Sequence, residues 1–263
     1  MLPDLDDVLL TTSRRPAPAQ VERARMLSKR LGVPYARRQG IPELLDKHGK
    51  KWAYVVSRRR DEVVPNEGTG FHVHPGLFFA KTTNLENSPL VKAVAGDDGL
   101  DAINDIVDCT LGLAQDGLVA AHVFNANVKG IEGSPLVQSL LEEGLARLSS
   151  ETDQPWAAAA QRIELYKGKA PDVLATFDDD SADVVSLDPM MVVPGRAQPG
   201  FAFFRNFAVF DQPEDAWLEH AARVARRRVV WKVSRLRETP KSVLEWHRRI
   251  DSNRCAYLVH ELG

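Results

Sequence analysis

The 263-residue sequence has only two cysteines, Cys109 and Cys255, too few for a disulfide framework, and reduced thiols in a cytoplasmic setting are the expectation. No apolar run approaches the roughly 20 residues that a membrane-spanning helix requires. The opening MLPDLDDVLLTTSRRP begins acidic, and its apolar run is only Val8 to Leu10, so it does not read as a signal peptide. Neither a phosphate loop ending in Gly-Lys-Ser/Thr nor the G-x-G-x-x-G pyrophosphate fingerprint is present, which sets triphosphate and dinucleotide cofactors aside. The pair His72-x-His74 has no third ligand nearby and reads as ordinary strand histidines rather than a metal site. Sixteen prolines and 17 glycines are scattered rather than clustered, which excludes a fibrous or low-complexity chain.

What remains is a chain with 44% hydrophobic and 27% charged residues, enough for one large domain or a domain with an appendage. The net charge of −2 conceals a division. Residues 1–92 hold 16 Lys and Arg against 10 Asp and Glu, and residues 93–263 hold 18 against 26. Basic clusters recur in the first part at Arg14-Arg15, Arg37-Arg38, Lys50-Lys51 and Arg58-Arg59-Arg60. A basic segment on an otherwise acidic chain suits an anionic partner such as RNA.

The periodicity predicts a small α/β module over residues 1–87 and a larger βα-alternating domain over 88–263. In the first, VLLTTS reads as a strand and residues 18–31 as a helix, with Val21, Ala24, Met26, Leu27 and Leu31 mostly on one face and Gly32 as the stop. A short helix at IPELLDKHG, a strand at KWAYVVSRR, an edge strand near Asp61 to Val64 and an alternating apolar stretch FHVHPGLFFAK follow. A helix at 88–95 leads into the second part. There, strands end at Asp108, at Glu132, near 168 and at Asp188, with helices at 117–124, 134–150 and 213–227 and further strands at 229–234 and 254–261. Ser134 and Pro135 are placed to cap and open the second of these helices. Such alternation builds a mostly parallel sheet with helices on both faces, whose ligand lies at the carboxyl ends of the strands.

Three strand tips then carry the chemistry. The first runs through Asp108 into a small-residue turn bracketed by Gly112 and Gly117. Glu132, 24 residues after Asp108, supplies two acceptor oxygens at one point, as a ribose requires. Asp188-Pro189 ends the fourth strand. S-adenosylmethionine (SAM) suits this set: it carries no phosphate and needs close backbone approach and an acid for its ribose.

The segments PLVKAVAG, VDCTLGLAQDGLVAA, VKGIEGSPLVQSLLEEGLAR, VVSLDPM and RRVVWKV resemble, in order, a class I SAM-dependent methyltransferase family that includes the bacterial small-subunit rRNA guanine-N2 methyltransferase. The resemblance covers roughly residues 88–260 and, more loosely, TTSRRP and FHVHPG. It implies a Rossmann-like class I sheet and methylation of a guanine nitrogen in structured RNA held by the basic N-terminal module. Asp108, Thr110, Gly112 and Asp116 would surround the methionine part of SAM, Glu132 with Gly133 beside it would hold the ribose, and Asp188 and Pro189 would face the base. Three positions depart from the family pattern: Ala114 replaces a turn glycine, Lys169 replaces an acid near the adenine amine, and Met191 replaces an aromatic. A binding homologue without transfer and a small-molecule methyltransferase are the alternative readings. Oligomeric state is left open.

Overall fold

A computed structural model describes residues 3–76, 78–189, 199–209, 213–235, 238–253 and 255–263. The N-terminal part contains β1 (Val8–Thr12), α1 (Pro18–Leu31), α2 (Ile41–His48), β2 (Trp52–Val56), β3 (Glu62–Pro65) and α3 (Phe78–Thr82). Then come α4 (Pro89–Ala95), β4 (Asp105–Asp108), α5 (Gln115–Val123), β5 (Asn127–Glu132), α6 (Pro135–Ser150), α7 (Pro155–Gln161), β6 (Ile163–Lys167), α8 (Ala170–Leu174) and β7 (Ala182–Leu187). The chain closes with α9 (Pro199–Phe207), α10 (Asp215–Val224), β8 (Ala225–Ser234), β9 (Arg248–Asp251) and β10 (Cys255–Glu261).

Two sheets form. β1, β2 and β3 make a three-stranded sheet, and the other seven strands run in the order β6-β5-β4-β7-β8-β10-β9. β4 through β8 are parallel, while β10 is antiparallel to both β8 and β9. Order reverses at β4, the first of these strands, so the cleft between β4 and β7 is where a ligand site is expected in an open parallel sheet.

Period-2 alternation explains why both faces of the large sheet are covered. Ile106, Val184 and Val230 point into one core, while their neighbours Val107, Val185 and Val229 point into a second on the opposite face. The first core also takes in α4 to α7 and residues of the small sheet, among them Val8, Leu10, Tyr54 and Val56. The second is closed by α8 and α10 through Leu174, Trp217, Leu218 and Ala221.

The small sheet is fastened to α6. Asp61, buried after β2, takes a two-pronged hydrogen bond from Arg23 (2.6 and 2.8 Å) and bonds from the Ser57 amide and the Tyr54 hydroxyl. Its own amide donates to Glu143 of α6 at 3.1 Å. Arg30 of α1 likewise donates to Glu142 and Ser139. Where Val73 crosses α6, a Cβ on Gly144 would lie 2.2 Å from the Val73 Cβ, so the close approach requires glycine.

Several expectations need correction. Met26 is 60% exposed, because it projects opposite the buried Ala24 and Leu27. The described residues 71–76 form no strand: Phe71 makes an isolated bridge to Val63, and α3 begins at Phe78. The helix expected over 213–227 stops at Val224. Arg226 and Arg227 instead lie in β8 and reach the buried Asp183 of the neighbouring β7, which ties these charges to the sheet. α7, α9 and β9 were not foreseen.

A test of the α6 contact follows from overpacking. Gly144→Val should destabilise the protein by about 2–3 kcal/mol in denaturant unfolding, without changing the number of transitions.

Candidate active site

The turn after β4 is built around Leu111. Its side chain occupies the space that Cβ atoms at Gly117 and Gly130 would need, with would-be contacts of 2.9 and 2.5 Å. Its amide donates to the Ile131 carbonyl of β5 at 3.0 Å. With Leu111 plugged into the sheet, the turn's remaining polar groups are aimed along the strand tips.

Three connections result. The Thr110 amide donates to Asp108 Oδ1 at 3.0 Å, closing the turn on its own strand. The Gly112 amide donates to Glu132 Oε2 at 3.0 Å, and the Ser134 amide to Oε1 at 2.7 Å. The Thr110 hydroxyl accepts from the Asp188 amide at 2.8 Å, so the first and fourth tips are linked. Asp108, Thr110, Gly112, Asp116, Glu132, Gly133, Asp188 and Pro189 all line one cavity of about 540 Å³ at the carboxyl ends of the strands. That is within the usual range for a small-molecule pocket.

The sheet order gives this cavity two ends. Glu132, Gly133, Lys169, Ala170 and Pro171 line it beside β5 and β6. Asp188, Pro189, Lys232 and Tyr257 line it toward β7, β8 and β10, and Lys81 reaches in from α3. Phe204 of α9 also borders it, 3.6 Å from where a Cβ on Gly112 would stand.

Electrostatics divides the acids into two kinds. Burial pushes Glu132 and Asp108 up to about 7, with backbone hydrogen bonds only partly opposing it. Asp116 is held below the usual carboxylate range. Burial opposes its ionisation, but Lys232 and Lys81 outweigh that. Asp116 Oδ1 is paired with Lys81, and Oδ2 lies 3.3 Å from Lys232. Lys232 also pairs with Asp188 Oδ2. The expected set is therefore gathered in one place, but both oxygens of Asp116 are already engaged by lysines.

Ala114 and Lys169 fall in different surroundings. Ala114 is fully buried in the core, does not line the cavity, and adopts a left-handed conformation with φ 60 at the start of α5. Lys169 does line the cavity, at the start of α8. Met191 lies outside the described residues. His72 and His74 stand with ring centroids 4.9 Å apart, and burial draws His72 down to about 4. Among the described residues no group of three or more His, Cys, Asp or Glu is placed to hold a metal, and no described helix is long and apolar enough to cross a membrane.

Sequence reasoning passed over Lys81, Lys232, Tyr257 and Phe204. Lys232 had a usable signal: it is the one charged residue in the otherwise apolar strand VVWKVS. Phe204 sits in an apolar stretch that read as a connection, and Lys81 lies 35 positions from its ion-pair partner Asp116.

The model of a SAM-dependent methyltransferase family matches residues 77–243. YpiP of Bacillus subtilis is 32% identical over 90% of this chain and 94% of its own. A protein named ribosomal RNA small subunit methyltransferase J, from Thioalkalivibrio sulfidiphilus, is 33% identical over 80% of this chain and 82% of its own. The crystal structure of a SAM-dependent methyltransferase from Neisseria gonorrhoeae superposes with a TM-score of 0.67 over 96% of this chain and 95% of that one, at 19% identity, which establishes likeness of fold.

The two raised acids give a testable pH dependence. A carboxyl whose folded pKa is raised contributes stability that is present below its unfolded pKa and lost as pH rises through the folded value. Glu132 and Asp108 thus favour the folded protein near pH 4 and cease to do so above about 7. The melting temperature of Glu132→Gln should fall less than that of the wild type between pH 5 and pH 8. Parallel curves would remove Glu132 from the titration.

Proposed function

The chain belongs to the SAM-dependent methyltransferase family whose model spans residues 77–243, and from that premise we propose that it methylates an exocyclic guanine nitrogen in structured ribosomal RNA. The observation that supports this reading is the two-ended cavity, with Glu132 at the β5 tip and Asp188-Pro189 at the β7 tip. The choice of RNA rests on the relatives named ribosomal RNA small subunit methyltransferase J. A ribosomal substrate goes with a cytoplasmic enzyme.

The residues present suit the cofactor. An ionised carboxylate offers about four acceptor positions, so Glu132 keeps capacity for ribose hydroxyls after accepting from the Gly112 and Ser134 amides. Gly112 has φ 56 and exposes backbone to the cavity, which favours close approach of a ligand. Asp108 and Thr110 would flank the methionine part. Asp116, each oxygen of which already holds a lysine, would have its remaining acceptor positions for the ammonium.

When bound, SAM supplies an electrophilic methyl group on a sulfonium. The protein's task is to hold the base so that its amine approaches that methyl in line and to accept hydrogen bonds from the amine as it becomes positive. Asp188, whose Oδ2 is held by Lys232, would offer Oδ1 to the amine. Pro189 donates no backbone hydrogen bond, and its carbonyl adds an acceptor.

The basic N-terminal surface supports RNA as the partner. Arg14, Arg15, Arg37, Arg58, Arg59 and Arg60 are exposed. The last three sit on the tight β2–β3 turn, where the Ser57 hydroxyl accepts from the Arg59 and Arg60 amides. The buried Asp61 fixes the end of that turn.

Three measurements test the proposal. Glu132→Ala should weaken SAM binding by about 2 kcal/mol in calorimetry while the protein stays folded, since it removes charged hydrogen-bond acceptors. Tritiated SAM should label guanine in small ribosomal subunits. SAM binding without label in any RNA would favour a binding protein, and label in a small amine would favour a metabolite methyltransferase. RNA affinity should fall steeply with salt, and alanine at Arg58, Arg59 and Arg60 together should flatten the slope.

A further inference from the structure

Lys232 is a cation of the cavity engaged by two carboxylates. It projects from β8 into the space where β7 and α5 meet, its side chain 21% exposed. One ammonium joins two carboxylates: Asp188 Oδ2 at 2.5 Å and Asp116 Oδ2 at 3.3 Å. Asp116 Oδ1 is held in turn by Lys81 from α3. The sequence of contacts Lys81, Asp116, Lys232, Asp188 alternates in charge and ends on the carboxylate that faces the substrate end of the cavity. Three separate elements of the large domain and one helix preceding it converge on this arrangement.

On the reading that Asp188 receives the base amine, we propose that Lys232 is a positioning residue for methyl transfer. It pins Asp188 Oδ2, turns Oδ1 toward the amine and keeps the carboxylate ionised, and Asp116 and Lys81 fix Lys232 in place. An acceptor for the amine must be a carboxylate rather than a carboxylic acid. A protonated Asp188 would present a donor to an N–H that needs an acceptor, and could not stabilise positive charge growing on the nitrogen.

The groups around Asp188 make this assistance necessary. Burial and Asp116 act against its ionisation and on balance hold it above the usual carboxylate range, while Lys232 is the strongest influence in favour, with Lys81 behind it. Tyr257, opposite Lys232 in the β8–β10 pairing, is itself pushed up by burial and stays neutral beside the lysine. Without Lys232, Asp116 and Asp188 would face each other across the cavity as like charges, and one of them would take up a proton more readily.

The decisive comparison uses full-length wild type, Lys232→Met, Lys232→Gln and Lys232→Arg. Methyl transfer to small ribosomal subunits is measured against pH at saturating SAM, and SAM affinity by calorimetry. Met and Gln should lower kcat by about 100-fold or more, leave SAM affinity within about threefold, and move the acid limb of kcat up by about one pH unit. Arg should recover a substantial part of kcat and return the acid limb toward its wild-type position. Loss of SAM affinity with no change in the acid limb would overturn the proposal, as would full activity in Met and Gln.

A separate readout keeps this independent of the RNA reading. If the wild type binds SAM and transfers nothing to RNA, the proposed function fails. The proposal is then decided by carbon-13 NMR titration of the aspartate carboxyls, with Asp188 identified by its disappearance in Asp188→Asn. Its midpoint should rise by about one unit in Lys232→Met and Lys232→Gln. Coincident titration in wild type and variants would overturn it, and the same spectra show whether each variant is folded.

Discussion

The site depends on Leu111 being driven into the sheet. That one side chain requires glycine at 117 and 130, and once seated it leaves the backbone of residues 109–114 little choice of path. The amides of Thr110 and Gly112 are thereby aimed at Asp108 and Glu132, and the Thr110 hydroxyl at the Asp188 amide. The Cys109 amide donates to the Ser186 carbonyl, which fixes the other side of the turn to β7. A hydrophobic insertion therefore sets the relative position of three acids on three strands. Hydrogen bonds alone would be a weaker guarantee, since each contributes only about 1 kcal/mol net, and the buried apolar plug supplies the rest.

The N-terminal sheet participates in the site without lining much of it. Trp52 and Phe71 pack on Phe203 and Phe207 of α9, with ring centroids 4.9 to 6.4 Å apart. The next residue, Phe204, borders the cavity opposite Gly112. Lys81 of α3 reaches the cavity from a second direction. The helix that borders the cavity is thus seated on Trp52 of the small sheet and on Phe71, which is bridged to that sheet at Val63, and a continuous core joins the two parts.

Strand tips were legible in the sequence because each is a short apolar run that ends in an acid and a turn, a local pattern. The turn's shape was less so. Glycines at 112 and 117 marked it, but the reason for Gly117 is a leucine six positions earlier, and the reason for Gly130 is that same leucine, in the turn after a different strand. What sequence could not supply was long-range: Lys81 meets Asp116 only through the fold, and the apolar α9 resembled a connection because its partner rings lie 132 to 155 positions away. The exchange of helix for strand at Ala225 is of the same kind. Three consecutive arginines have good helical propensity, and pairing with β7 and Asp183 overrides it.

Ala114 shows which property of the turn is under constraint. A left-handed alanine costs roughly 1–2 kcal/mol relative to glycine, and the conformation nevertheless persists with φ 60. It persists because the Ala114 amide donates to the Leu111 carbonyl at 2.8 Å and its own carbonyl accepts from the Leu118 amide at 2.9 Å, which starts α5. The methyl group lies in the core, where its burial offsets part of the strain. The fold therefore enforces the turn where the family pattern would rely on glycine, and the cavity side of the loop is left to Gly112. Departure from a motif at a position that faces the core changes how the turn is stabilised; of the two described departures, only Lys169 lines the cavity.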